Sequence, residues 1–245
     1  MARSFRIRFL AVFLLGCMAC GSAVAADGPV WREVDPDRLV FVETSAGDFA
    51  IELNPLFAPA TVRQFERLVR AGFYDGLGFY RVIDGFVAQG GDGSDLGEYS
   101  DVPLIPAEFE IEYDPEVTFT PAQEKDPFAD TTGFIDGFAA GREGDRAWLL
   151  HCPGAVAMAR GNEPDSGNTD FYVVIGQAPR YLDRNLTVFG RVIDGMETVQ
   201  RIPRGEIENN GIIDNDLARS RISRMRLVDQ LEDGHINTFE RVSNI

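Results

Sequence analysis

Between residues 38 and 53 apolar and polar side chains alternate in two runs, "RLVFVET" and "DFAIEL", separated by "SAG". A period of two predicts a β-hairpin. Phe49, Ile51 and Leu53 would face a core while Ala50 and Glu52 face out, as in a half-buried strand. The period then lengthens. In "ATVRQFERLVRAG", Val62, Phe65, Leu68 and Val69 fall on one helical face, Pro59 suits the first turn and Gly72 ends it. "FYRVI" and "FVAQ" read as short strands around "DG". Strand patterns return in "GAVAMA", "DFYVVIG", "TVFGRVI" and "ISRMRLV", with a short helix at "METVQRI". Many short strands with two glycine-punctuated helices predict a mainly β barrel or sandwich with helices at its ends.

The segment 105–150 breaks this pattern. It holds eleven acidic residues against Lys125, Arg142 and Arg146, a net charge of 3 − 11 = −8. Pro106, Pro115, Pro121 and Pro127, with Gly133, Gly137, Gly141 and Gly144, punctuate it. Its aromatics, from Phe109 to Trp148, argue against simple disorder. The expectation is a long inserted loop, about 106–150, that packs onto the domain as a hairpin or lid.

The N-terminus carries a different signal. Arg3, Arg6 and Arg8 precede the apolar "FLAVFLLGCMACG", too short to span a bilayer, and "SAVAAD" offers a small-x-small cleavage site after Ala25. Residues 1–25 therefore read as a signal peptide, which implies a periplasmic or secreted protein. The competing reading takes "LLGC" as a lipobox, with Cys17 lipidated in an envelope lipoprotein. Cleavage would remove three arginines and take the net charge from −16 to −19. Such a surface repels nucleic acid and anionic lipid. The expected domain spans 38–228, with a weakly patterned tail at 229–245.

Cys152 is the one cysteine of the mature chain, so no intrachain disulfide is available, and a small buried apolar role is expected of it. His151 and His235 lie far apart, and no ligand cluster at metal spacing occurs. No metal and no cofactor is expected.

The pentapeptide "RVIDG" occurs at 81–85 and again at 191–195. Its flanks differ, so this is no duplication but a shared local solution: a strand, a "DG" turn, then an apolar residue. The stretch "FYRVIDGFVAQGGD" (79–92) resembles the cyclophilin signature Phe-His-Arg-hydrophobic-Ile-x-Gly-Phe-Met-x-Gln-Gly-Gly-Asp. "APATVRQF", "GAVAMAR", "EPDSGNTDFYVVIG" and "YLDRNLTVFGRVIDGM" are similar to further cyclophilin segments, in order. The resemblance covers about 38–105 and 150–228. It implies a closed eight-stranded antiparallel β-barrel capped by two helices, and a monomer that catalyses cis–trans isomerisation of Xaa-Pro bonds in exported proteins that are unfolded or folding.

The resemblance also assigns residues. Arg81 falls on the family's catalytic arginine, with Phe86 and Gln89 beside it, and Arg191 on a structural strand. Val87, Tyr172 and Leu182 would line the proline pocket with Phe86. Ala159, Arg160, Tyr181 and Leu186 complete the substrate-binding set. Without the resemblance, Phe86, Tyr172 and Leu182 read as core and Gln89 as a turn residue. "QGGDG" lacks the lysine and hydroxyl residue of a phosphate loop.

Several positions depart from the family. Tyr80 replaces histidine, Val87 methionine, and Leu186 histidine; Asp170 stands where glutamine is common. Tyr172 replaces phenylalanine and is expected to bring a hydroxyl into the proline site. Tyr181 replaces the tryptophan that favours cyclosporin, implying weak inhibition. These departures and the acidic insertion keep a second reading open, a proline-peptide-binding chaperone or scaffold with little turnover.

Overall fold

The computed structural model describes residues 34–93 and 102–231. The signal segment expected at 1–25, with Cys17, lies outside the described residues, as does the tail beyond 231.

The first hairpin forms as β1 (Leu39–Thr44) and β2 (Gly47–Leu53), followed by helix α1 (Pro59–Arg70). A second hairpin follows, β3 (Gly78–Ile83) and β4 (Val87–Gly91). The acidic segment contributes β5 (Ile111–Glu112), β6 (Phe119–Asp126), β7 (Ala129–Ile135), β8 (Phe138–Glu143) and β9 (Arg146–Leu149). The chain then returns through β10 (Ala155–Met158), β11 (Phe171–Val174), β12 (Val188–Asp194), helix α2 (Met196–Arg201) and β13 (Ile222–Leu227).

Eight strands form one antiparallel sheet in the order β13-β1-β2-β12-β10-β11-β4-β3. Right-handed strand twist curls such a sheet until its edges approach. The edges meet where Gly78 bridges Arg221. There the Phe79 N–H donates to the Ser220 carbonyl and the Ile222 N–H to the Leu77 carbonyl. The eight-stranded, helix-capped architecture expected from the sequence is the one formed, with closure confined to this short stretch.

Inside the barrel, Phe171 and Phe189 pack against Phe65 of α1, whose ring centroid lies 4.9 Å from that of Phe189, while Phe79 packs on Phe171 and Phe49 on Phe79. Ala58 cannot cap α1 with its side chain. The carboxylate of Glu108 does so instead, accepting from the N–H groups of Ala60 (2.8 Å) and Thr61 (2.9 Å). An anion at these otherwise unpaired donors also suits the helix dipole.

The inserted segment is neither loop nor single hairpin. It is a second antiparallel sheet, β5-β9-β8-β7-β6. Residues that read as punctuation serve close packing: a Cβ on Gly133 would stand 2.1 Å from the Thr120 carbonyl, and one on Gly141 2.7 Å from the Trp148 ring. Ile135, Phe138 and Leu149 of this sheet share a core with Ala155, Ala157, Tyr172, Val174 and Val188 on the outer face of the barrel. Alternate residues of β10 and β11, Val156, Met158, Phe171 and Val173, face the barrel interior. Both faces of these strands are therefore buried.

The same principle corrects the reading of β2. Ala50 and Glu52 are not solvent-facing. Ala50 is covered by Val34, Leu39 and Leu231, the last reached by the chain just after β13. Glu52 is fully buried beneath Arg191. Half-burial was a fair expectation for an isolated sheet face; the covering segments come from elsewhere in the chain.

Candidate active site

In a regular strand neighbouring side chains point to opposite faces. β3 departs from this at its centre. Phe79 pairs with Gly90 and Arg81 with Gln89, so Tyr80 is an extra residue, a β-bulge. A bulge re-aims side chains, and here consecutive Tyr80 and Arg81 both line one cavity of about 360 Å³.

Two neutral acceptors hold the Arg81 guanidinium. Nη1 donates to Gln89 Oε1 at 3.0 Å and Nε to the Asn210 carbonyl at 3.2 Å. Among the described residues Nη2 carries no hydrogen bond, and no carboxylate forms an ion pair with this arginine. Its charge is fixed in direction yet not cancelled. Asn210 adopts a left-handed backbone (φ 53°), which asparagine tolerates better than most residues. The segment around it runs along β3, with the Val82 N–H donating to the Gly211 carbonyl and the Ile213 N–H to the Tyr80 carbonyl.

Phe86, in the turn before β4, Val87 at its start, Leu182 and Leu186 give the cavity its apolar wall. Ala159 and Arg160, just after β10, form another side, and Tyr172 of β11 completes the lining. Arg160 is held by its own surroundings, donating from Nη2 to Asn185 Oδ1 (2.8 Å) and from Nη1 to the Gly161 carbonyl (2.8 Å).

Two expectations change here. The Tyr172 hydroxyl is engaged away from the cavity; it lies 2.9 Å from His151 Nε2, in the buried layer behind the wall. His151 Nδ1 faces Asp183 Oδ1 at 3.0 Å, and Arg180 ties Asp183 to Asp126 of β6. With the carboxylate accepting from Nδ1–H, the ring turns Nε2 toward the phenol. Burial, then the charge of Asp183, pushes the Tyr172 phenol up, so it stays protonated and can donate. Burial alone would raise Asp183, but hydrogen bonds from His151 and Arg180 outweigh it and hold the carboxyl low.

Tyr181 is the second. It is 67 % exposed and absent from the cavity wall. It shares a tight 3₁₀ turn with Leu182. Successive side chains there diverge by about 120°, so the turn that buries Leu182 sends Tyr181 outward.

Asn210 and Ile212 line the cavity and were not anticipated. The available signal was the turn dipeptide Asn210-Gly211, but nothing local says that this turn lies beside Arg81. Cys152 also differs from expectation. It is exposed rather than buried, and its thiol is raised by local desolvation and then by Asp183, which makes it a poor nucleophile. Among the described residues no helix is long and apolar enough to cross a membrane.

Residues 39–227 match the family model for cyclophilin type peptidyl-prolyl cis-trans isomerases. A probable peptidyl-prolyl cis-trans isomerase of Brucella suis is 33 % identical over 193 residues, covering 74 % of this chain and 79 % of the relative. The human peptidyl-prolyl cis-trans isomerase-like 1 is 31 % identical over 171 residues, covering 70 % and 81 % respectively. The solved structure of cyclophilin AquaCyp293 from Hirschia baltica superposes with a TM-score of 0.70 at 34 % identity, covering 83 % of this chain and 78 % of that one.

Proposed function

This chain belongs to the cyclophilin-type peptidyl-prolyl cis–trans isomerases, and on that premise we propose that Arg81 accelerates rotation about Xaa-Pro bonds by stabilising the twisted amide. The barrier is about 18–20 kcal/mol because rotation breaks amide resonance. The uncatalysed event takes on the order of tens to hundreds of seconds. An acceleration of about 10⁵-fold asks for roughly 7 kcal/mol.

No nucleophile and no proton transfer is required. As the bond twists, the proline nitrogen pyramidalises and regains a lone pair. A cationic donor aimed at that nitrogen favours the twisted state over the planar one, which is what catalysis needs. Arginine keeps its charge at any working pH. Phe86, Val87 and Leu182 would hold the proline ring while the preceding carbonyl turns. Gln89 would hold Arg81 or bond the substrate backbone, and the backbones of Ala159 and Arg160 would pair with the extended peptide.

The observation that carries this reading is the uncancelled guanidinium at the cavity wall, gripped by Gln89 and Asn210. Its test is isomerisation of a short alanine-proline peptide by wild type and Arg81→Ala. A fall of about 10²–10³-fold in kcat, as for loss of a transition-state donor, is expected; equal rates would remove the reading.

The clients we propose are exported proteins, taken up by a monomer in the periplasm or outside the cell. The support is the arginine-flanked apolar stretch and small-x-small site of residues 1–25. Intact mass of the exported chain distinguishes cleavage after Ala25 from lipidation of Cys17.

One observation favours client binding beyond the cavity: Phe128 and Phe134 of the inserted sheet region stand about half exposed. If binding is separable from turnover, Arg81→Ala will still suppress aggregation of an unfolded client.

A further inference from the structure

Behind Arg81 lies a carboxylate that prolyl isomerisation does not call for. Asp170, just before β11, is only 7 % exposed. It fits because Gly91 faces it: a Cβ there would stand 1.9 Å from Asp170 Oδ1. The Gly93 N–H donates to Oδ1 at 3.3 Å, and the Tyr80 hydroxyl donates to Oδ2 at 2.9 Å. The Tyr80 oxygen accepts in turn from Gln89 Nε2, and Gln89 Oε1 accepts from Arg81 Nη1.

The direction of this chain is set from both ends. A guanidinium only donates, so Gln89 must turn its carbonyl toward Arg81 and its NH₂ toward Tyr80. Tyr80, accepting from Gln89, has one proton left, which an ionised carboxylate takes. We propose that Tyr80 and Asp170 are positioning residues for the isomerisation: the carboxylate orients the hydroxyl, the hydroxyl orients the Gln89 amide, and the amide aims Arg81. This rests on the reading of Arg81 given above.

Protonating Asp170 undermines the arrangement. Its new O–H is shared with Asp92, and the oxygen left facing Tyr80 is a neutral, weaker acceptor. The hydroxyl, and through it the Gln89 amide, is then held less firmly in the direction that aims Arg81. Burial foremost, then the charge of Asp92, raises Asp170 to about 7, against the pull of the Tyr80 and Gly93 hydrogen bonds. The other titratable groups around it are Tyr74, fully buried and kept neutral, Tyr80, and Arg81 by way of Gln89. Activity should therefore fall as pH drops through about 7. The stability contribution of the same group runs the other way. Its folded pKa exceeds its unfolded one, so its contribution is full below the ordinary carboxyl value of 3.8 and is lost as pH rises through about 7. Opposite trends in activity and stability separate this chain from acid unfolding.

The test measures kcat and KM for an alanine-proline peptide from pH 5.5 to 8.5 in wild type, Tyr80→Phe, Asp170→Asn, the double variant and Arg81→Ala, with circular dichroism to verify folding. Asparagine keeps an acceptor for the Gly93 N–H but, like the protonated acid, carries no charge toward Tyr80. The expected result is a one-proton step in wild-type kcat that vanishes in Tyr80→Phe and Asp170→Asn. Each should show kcat about tenfold below wild type at pH 8.5, KM nearly unchanged, and no further loss in the double variant. An inactive Arg81→Ala beside Tyr80→Phe and Asp170→Asn that keep wild-type kcat and its pH step overturns the positioning role alone. A fully active Arg81→Ala overturns the Arg81 reading and the positioning role with it.

Discussion

The two copies of "RVIDG" are chemically identical and physically opposite. In the first, β3 carries a bulge, Arg81 reaches the cavity, and its partners are a neutral amide and a neutral carbonyl. In the second, Arg191 sits on β12 directly opposite Glu52 of β2. It donates to Glu52 Oε2 from Nε and Nη2, at 3.1 and 3.0 Å, and to the Gly137 carbonyl, and lies over the Phe138 ring. That arginine pins the inserted sheet to the barrel. The "DG" pair differs as well: after β3 it turns the chain into β4, whereas after β12 Gly195 (φ 74°) opens α2. An arginine becomes chemically available when its partners hold it without neutralising it, and structural when a buried carboxylate claims its charge.

Truncating each arginine in turn should give two different failures. Arg81→Ala should lower kcat/KM by about 10²–10³-fold with thermal stability close to wild type. Arg191→Ala should leave the turnover of folded molecules within about twofold. A comparable loss of turnover in both variants would erase the distinction.

The second effect is on stability. Removing Arg191 takes the Nε and Nη2 donors from the buried Glu52 carboxylate, and loss of one partner of a buried pair costs about 3–5 kcal/mol. Urea unfolding measures it. Glu52→Gln should cost less, about 1–2 kcal/mol, because half-exposed Arg191 can rehydrate. Equal penalties for the two would show that burial of the carboxylate is not what holds the pair.

A smaller effect tests the wall behind the first arginine. Tyr172→Phe leaves His151 Nε2 without its phenol and should cost about 1–2 kcal/mol in unfolding free energy. Isomerisation should change by less than about threefold, since the hydroxyl lies outside the cavity. The smallest effect belongs to Tyr181→Ala. Because this side chain points to solvent, peptide kcat/KM should stay within about twofold of wild type; a tenfold loss would place it in the substrate path.

The barrel was legible because its signals are local. The alternation in β1, the helical face of α1 and the "DG" turns each follow from residues within a few positions. The ordered motif around Arg81 likewise placed Phe86, Val87 and Gln89 on neighbouring strand positions. The inserted sheet was not legible, because its glycines and prolines look like loop punctuation until a facing strand shows why a side chain is excluded at Gly133 and Gly141. Asn210 and Ile212 were missed for a related reason: they reach the cavity from a segment more than a hundred residues beyond Arg81.

Residue order along the chain was thus enough for the strand and helix periods, the family and most of the residues that line the cavity. Only the tertiary structure decided which of two identical arginines keeps a usable charge, that the Tyr172 hydroxyl turns to His151, and that β2, β10 and β11 are covered on both faces. Periodicity is a property of neighbours along the chain. Burial, pairing and the cancellation of charge belong to neighbours in space, and here those come from strands far apart in sequence.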